Sequence, residues 1–349
     1  MKEFMKIGII GCGKIAEAHA RAIKKMMRNV QLYLCDINRE NAESLATLFG
    51  AQGIYINLEE LLSKETLDTV HILTPVYGHF EIAEKALLAG CHIYIEKPAT
   101  ETIVEYKKLC GLAKSKGKII CAGYSALGMP AILKARKEIA SGTLGRLIAV
   151  HCDFMCSWPN NIIPYGDPNH WSYSMKGGIL QNMADHPASL VIDAMDGIQE
   201  HNMFFSRRNV LPNDCSDLLH VALQNQDQVG SFTIYLGQGN AHRQVQYFLE
   251  KGTIIVDMTR QLVSFIRNQG PLNFIKKTLT GINMGWDFAG GSVCNILRVI
   301  KGSLQRNPGI VNLIRNFYST IHGEEELIVK YSTVVQIVSL LEDIWNEIN

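Results

Sequence analysis

Short apolar runs alternate with stretches of helical spacing through the first third of the chain. Residues 7–10 are apolar, 16–27 repeat apolar positions at helical spacing, 31–35 read as a second strand and 39–49 are helical. A weaker unit follows at 53–56 and 58–62. Then come a strand at 70–73, a helix at 79–88, a strand at 92–95, a helix at 103–116 and a strand at 119–121. Strands alternating with helices in this way predict βαβ units, hence a doubly wound parallel sheet with helices on both faces.

The pattern changes near residue 124. A helix is predicted over 131–140 and a stop and turn over 141–145. Long runs of β character follow at 146–156, 218–224, 229–236, 245–249 and 253–258, interrupted by one helix over 179–195. Helical spacing returns at 288–305, 311–322 and 334–348. The pattern therefore predicts an α/β domain over 1–124. An α+β domain over 125–349 would be built on a large, mostly antiparallel, open-faced sheet. In the last third, Ile310, Leu313, Ile314, Phe317 and Ile321 share one helical face and read as core.

Composition narrows the functional classes. With 34 Lys and Arg against 33 Asp and Glu, the net charge is +1, which excludes a broad basic surface for nucleic acid. At 47% hydrophobic and 19% charged, the chain has ample material for large cores. Nine cysteines lie scattered without CxxC spacing, the usage expected of reduced thiols in the cytoplasm. Cys152 and Cys156 would share one sheet face, but no partner pair at ligand spacing makes them a metal site. No run is long and apolar enough to span a membrane, and the first residues lead into a strand rather than a signal-peptide core. A cytoplasmic protein is expected.

Chemistry concentrates at strand ends. Gly11-Cys12-Gly13-Lys14-Ile15-Ala16 follows the first apolar strand and opens a helix, the context of a dinucleotide site. Gly11 would permit the turn, Gly13 would let a pyrophosphate approach the backbone, and Ala16 would allow close helix packing. The helix N-terminus would offer N–H groups to the phosphates. Asp36 ends the second strand, placed to accept from ribose hydroxyls and to repel a 2′-phosphate, which favours NAD over NADP. Arg39 nearby would offset that repulsion. Capping of the helix at 38–49 is the other reading of Asp36. Thr74-Pro75 ends one further strand and Glu96-Lys97-Pro98 another. As an ammonium, Lys97 is suited to polarise a carbonyl or hold an alkoxide; desolvated, it is suited to relay a proton; alternatively it is a surface lysine.

The segments GCGKIAEAH (11–19), TPVYGH (74–79), EKP (96–98) and GGILQNMADH (177–186) together resemble the glucose–fructose oxidoreductase / inositol dehydrogenase / rhizopine catabolism family. The resemblance implies an N-terminal Rossmann domain and an NAD(P)-dependent oxidoreductase of a sugar, cyclitol or sugar nucleotide. It implies cofactor contacts from Gly11, Gly13, Lys14, Ile15, Asp36, Arg39, Thr74, Pro75, His79, Glu96 and Lys97. Lys97 matches the family's active-site lysine, and His186 takes the place of its catalytic histidine. The usual aspartate is replaced by Asn182 and the last glycine by Ala184. Residues 182 and 186 are one turn apart and face one way, whereas Asp185 points about 100° aside. Asn182 can position a hydroxyl but cannot exchange a proton. A backbone-bonded helical histidine is the plainer reading of His186.

Tyr124 and Trp171 complete the implied substrate set with Lys97, Asn182 and His186. The family's arginine-rich stretch after Tyr124 is replaced by Ser125-Ala126-Leu127-Gly128. Trp158, Tyr165 and Trp171 lie in an aromatic loop suited to stacking on a sugar ring or to packing beneath the loop. The resemblance also implies a homodimer or homotetramer; no metal is expected, for want of a ligand-spaced Cys or His pair. Basic residues in 269–306 are read as a solvated face. Alternatives are a catalytically silent NAD-binding regulatory protein of the same fold and a reductase of a non-sugar carbonyl or imine.

Overall fold

The computed structural model describes residues 4–157, 167–211, 213–238, 241–267, 274–300 and 307–347. The N-terminal alternation folds as β1 (Met5–Ile10), α1 (Lys14–Met26), β2 (Val30–Cys35), α2 (Arg39–Phe49), β3 (Gly53–Tyr55), α3 (Leu58–Lys64), β4 (Thr69–Ile72), α4 (His79–Leu88), β5 (His92–Glu96), α5 (Ile103–Ser115) and β6 (Ile120–Gly123). The rest forms α6 (Pro130–Ala140), β7 (Leu147–Ser157), α7 (Gly178–Ala194), β8 (Glu200–Ser206), β9 (Leu218–Gln224), β10 (Val229–Gln238), β11 (His242–Leu249), β12 (Gly252–Asp257), β13 (Leu262–Arg267), α8 (Phe274–Ile300), α9 (Pro308–Ile321) and α10 (Tyr331–Glu347).

Strands β1 to β6 pair in parallel in the order β3-β2-β1-β4-β5-β6. Strand order reverses between β1 and β4, the switch point at which open α/β sheets leave a crevice for ligands. Ile7, Ile9, Val70, Ile72, Ile93 and Ile95 are fully buried, which is why these strands read as unbroken apolar runs. Several helices start at side-chain caps. Asn38 accepts from Glu40 N, Asn57 from Glu60 N, and Thr102 and Glu105 form a reciprocal capping box.

The second sheet runs β13-β12-β11-β7-β10-β9-β8, antiparallel at every step except the parallel β7–β10 pair. Val150, Cys152, Phe154 and Cys156 of β7 line its buried face beside Phe232, Ile234 and Leu236 of β10, and α7 packs there. Two strands escaped the sequence pattern. β8 is an edge strand with no buried side chain and with Phe204 65% exposed; main-chain pairing to β9, not burial, holds it. β13 follows a turn in which Gln261 takes φ +56° without a glycine to signal it. α8 begins earlier than the predicted 288, because Gly281 and Gly285 mask its first turns.

The packing groups the chain differently from the predicted division at residue 124. Two compact units form: Met1–Gly128 with Gly309–Glu342, and Met129–Pro308 with Asp343–Asn349. The reason is polar as well as apolar. Strand β4 buries Thr69 and His71 completely, and the Tyr318 hydroxyl of α9 lies 3.2 Å from Thr69 Oγ1 and 2.8 Å from His71 Nε2. Of the predicted face, Ile310, Leu313, Ile314 and Phe317 are buried and Ile321 is half-buried.

Removing that hydroxyl strands two buried groups. Tyr318→Phe is expected to cost about 1–3 kcal/mol in urea unfolding. An unchanged midpoint would show that the hydroxyl contributes nothing to the first unit.

Candidate active site

The first unit brings Gly11, Gly13, Asp36, Thr74, Pro75, His79, Glu96 and Lys97 to the carboxyl edge of one sheet. Gly11 turns the chain after β1 with φ +89°, and its N–H donates to Cys35 O at 2.9 Å. A Cβ there would stand 2.8 Å from Leu73 C and 2.9 Å from Thr74 N, so only glycine passes this close to the chain leaving β4. A Cβ on Gly13 would meet nothing within 4 Å. Gly13 is also the N-cap of α1 and offers the first turn no side-chain cap; within that turn the Ala16 N–H donates to Gly13 O at 3.0 Å. Ala16 is fully buried, Ile15 half-buried and Lys14 exposed.

Asp36 ties the glycine turn to the end of β2. Its Oδ2 accepts from Cys12 N at 2.7 Å and its Oδ1 from Asn38 N at 2.8 Å, and each oxygen keeps a lone pair for a further donor. The capping alternative is excluded, since Asn38 caps α2. Arg39 pairs with Glu43 at 2.7 Å on the exposed face of α2. Burial, reinforced by the Asp36 charge, pushes the Cys12 and Cys35 thiols up to about 12, so both stay protonated and unreactive near neutral pH. All nine cysteines are free thiols, and Cys294 on α8 is exposed.

Thr74 Oγ1 is buried without a hydrogen-bond partner among the described residues. Pro75 is half-buried beside it. His79, 1% exposed, joins two strand-end turns: its Nδ1 lies 2.8 Å from Pro98 O and its Nε2 2.7 Å from Thr74 O. Burial pulls its pKa below the ordinary histidine value, so the neutral ring donates to one of these carbonyls at a time.

Lys97 is half-buried, precedes a cis peptide to Pro98, and donates its N–H to Glu96 Oε2 at 3.2 Å. Glu96 Oε1 lies 3.2 Å from His19 Nε2, and His19 Nδ1 lies 3.0 Å from His71 Nδ1. With a carboxylate at one end, the donors run in one direction. His19 donates from Nε2 to Glu96 and accepts from His71 Nδ1–H, and His71 accepts at Nε2 from the Tyr318 hydroxyl. Gly123 leaves room for this carboxylate, since a Cβ there would lie 2.9 Å from Glu96 Oε1.

The second unit carries the other predicted pair on α7. Asn182 and His186 are both half-buried and one turn apart, while Asp185 is fully buried. The double glycine before them is steric. A Cβ on Gly177 would run into the Trp345 ring, and Gly178 takes φ +56°. The His186 ring stacks on Phe154 with centroids 5.6 Å apart and planes 14° apart, and the Arg243 guanidinium lies 4.6 Å from the same Phe154 ring. Pro187 follows His186 inside the helix, and the Ser189 hydroxyl donates to His186 O at 2.8 Å.

Tyr124 is 1% exposed and belongs to buried structure rather than to an open surface. Trp171 is 38% exposed and opens a single turn at Trp171–Ser174; Trp158 and Tyr165 lie outside the described residues. In 269–306, residues 269–273 and 301–306 are likewise outside them, as are the Lys276, Lys277 and Arg298 side chains. A depression of about 340 Å³ on the second sheet is lined by His151, His201, His220 and Ser231 and includes none of the predicted residues. Among the described residues, no three His, Cys, Asp or Glu side chains group as metal ligands, and no helix is long and apolar enough to cross a membrane. Sequence reasoning missed His71, Tyr318, Phe154 and Arg243. A histidine between Val70 and Ile72 in an apolar strand was the one available signal.

Residues 5–124 match the family model described as an oxidoreductase family with an NAD-binding Rossmann fold, and residues 132–255 match the GFO/IDH/MocA C-terminal domain. Levoglucosan dehydrogenase of Pseudarthrobacter phenanthrenivorans is 28% identical over 196 residues, 52% of this chain and 49% of that protein. D-glucoside 3-dehydrogenase of Escherichia coli is 25% identical over 144 residues, 41% of each chain. The chain thus spans about half the length of the relatives it matches in sequence. A solved structure of the WlbA dehydrogenase from Bordetella pertussis, in complex with NADH and UDP-GlcNAcA, shares the fold. Its TM-score is 0.78 at 18% identity, covering 99% of this chain and 96% of that one.

The histidines at this site give stability a pH dependence. Burial, reinforced by neighbouring His19, pulls the pKa of His71 well below the ordinary histidine value. Unfolded histidine takes up a proton near about pH 6.5 while folded His71 stays neutral, so the unfolded state binds more protons below that point. Buried His79 acts with the same sign. Urea midpoints are expected to be level above about pH 7 and to fall as pH drops through 6. The fall should be shallower in His71→Asn; equal slopes in the two proteins would remove His71 as a cause.

Proposed function

The chain belongs to the GFO/IDH/MocA oxidoreductase family, and from that membership we propose that it moves a hydride between NAD and a hydroxyl or carbonyl carbon of a sugar, cyclitol or sugar nucleotide. One juxtaposition carries the reading. The open Gly13 cradle, the uncapped start of α1 and the unpartnered Thr74 hydroxyl lie along the same sheet edge as Lys97. The polar groups fit a dinucleotide: N–H groups to donate to the diphosphate, the Asp36 carboxylate to accept from ribose hydroxyls and the Thr74 hydroxyl as a further donor.

When bound, the nicotinamide supplies or accepts the hydride. The protein handles the proton and the charge on oxygen. Lys97, as an ammonium, donates to the substrate oxygen and stabilises it as negative charge develops. His186, a ring with both donor and acceptor capacity, takes or returns the hydroxyl proton. Asn182 orients that hydroxyl through hydrogen bonds without exchanging a proton. Stacking on Phe154 fixes the plane of the His186 ring. Glu96, held by His19, fixes the backbone at Lys97. Trp171 presents an aromatic face to a sugar ring. The protein is further proposed to act as a homo-oligomer in the cytoplasm, in keeping with its free thiols.

Gly13→Ala separates cofactor binding from folding, because the added methyl meets no protein atom. Its thermal midpoint is expected to match wild type while NADH affinity, read by fluorescence, falls at least about tenfold. Unchanged affinity would place the dinucleotide elsewhere.

Turnover is to be sought by nicotinamide absorbance across hexoses, inositols and UDP- and dTDP-sugars. Lys97→Ala and His186→Ala are each expected to lower kcat at least about 100-fold with NADH binding retained. Undiminished turnover in either variant would remove that residue from the mechanism. NADH binding with no turnover on the whole panel would favour a silent cofactor-binding protein, the reading that Asn182 in place of an acid supports.

A further inference from the structure

The second unit leaves one long helix with an uncovered apolar side. α8 is anchored to strand β13 and the turn before it along one line. Asp287 Oδ2 accepts from Ser264 Oγ and Phe265 N, both at 3.1 Å, and Asn295 Nδ2 donates to Arg260 O at 2.9 Å. A Cβ on Gly291 would come within 2.6 Å of Leu262. Residues 287, 291 and 295 follow each other at one-turn spacing. About 180° around the helix from them lies a second line. Leu279 (46% exposed), Ile282 (50%), Trp286 (72%), Val293 (55%), Ile296 (59%) and Ile300 (74%) form it, with exposed Ala289 in the middle. Their steps of three and four alternate without a break, the a and d register of a coiled-coil seam.

We infer that this seam is a self-association surface, covered by α8 of a second copy of this chain. Area, shape and charge argue for that occupant. The line runs for about 32 Å, and joining two of them would bury on the order of 1,500 Å², the size of a standard stable interface. Small residues, Ala289 and Gly290, sit at its centre and large ones at both ends, so the seam complements itself about a two-fold axis through that centre. Antiparallel pairing sets Leu279 against Ile300 and Trp286 against Val293. No Lys or Arg occurs between 279 and 297, so two copies meet without like-charge repulsion. The helix's basic residues, Lys276, Lys277 and Arg298, fall toward its two ends rather than along the middle of the seam.

Sedimentation equilibrium of the full chain, compared with the double variant Ile282→Lys/Ile296→Lys, tests this. Wild type is expected to have twice the mass of the variant at equal concentration, with the same helical circular dichroism. Equal masses would overturn the proposal. So would flotation of wild type, but not the variant, on phosphatidylglycerol vesicles, which would assign the seam to lipid. If the lysine variant does not fold, Ala289→Cys in a Cys294→Ser background decides. Mild oxidation is expected to give a covalent dimer through position 289, and its absence would overturn the pairing.

Discussion

A histidine buried in a parallel strand must find hydrogen-bond partners within the protein, and much of the first unit is organised around that constraint. His71 lies fully buried in β4, flanked by residues equally removed from water. On one side its ring meets Tyr318 of α9, and on the other His19 of α1. The same chain of bonds reaches Glu96 and, through it, the backbone at Lys97. A group left alone at this depth would lose its hydration without recompense. Meeting that need draws a helix more than two hundred residues downstream into the nucleotide-binding unit, and links core packing to the residue best placed for chemistry.

The sheet edge follows from simpler rules. Parallel strands all end on one side, so residues far apart in sequence become neighbours wherever consecutive strands terminate. Here β1, β2, β4 and β5 deliver a glycine turn, a carboxylate, a hydroxyl and an amine to that side. Asp36 holds the turn at Cys12 N, and His79 bridges the turns after β4 and β5. These contacts are preorganisation: the groups that would meet a cofactor are fixed by the protein itself. In the second unit the same economy applies to α7, where Gly177 admits the Trp345 ring and His186 lies flat on Phe154.

Much of this was legible in the residues because its causes are local. A glycine turn between an apolar strand and a helix, an acid at the next strand end, and two polar residues one turn apart each carry their geometry in their spacing. What was not legible depends on distance or on the absence of burial. Nothing near Tyr318 indicates that its hydroxyl meets His71 across 247 residues. Strand β8 buries none of its side chains, so no alternation marks it. Phe154 and Arg243 come from separate strands that only the sheet register brings together. The packing units were not legible for the same reason, since α9 belongs by packing to a unit from which the chain departs at Gly128.

The distribution of sulfur has a practical side. Six of the nine cysteines are buried, two are half-buried and one, Cys294, is exposed. Burial keeps thiols such as Cys12, Cys35 and Cys110 protonated, hence poor nucleophiles toward an alkylating reagent. A maleimide dye should therefore modify the native protein first on α8. That gives a single spectroscopic handle, native to the sequence, on a helix far along the chain from the glycine turn.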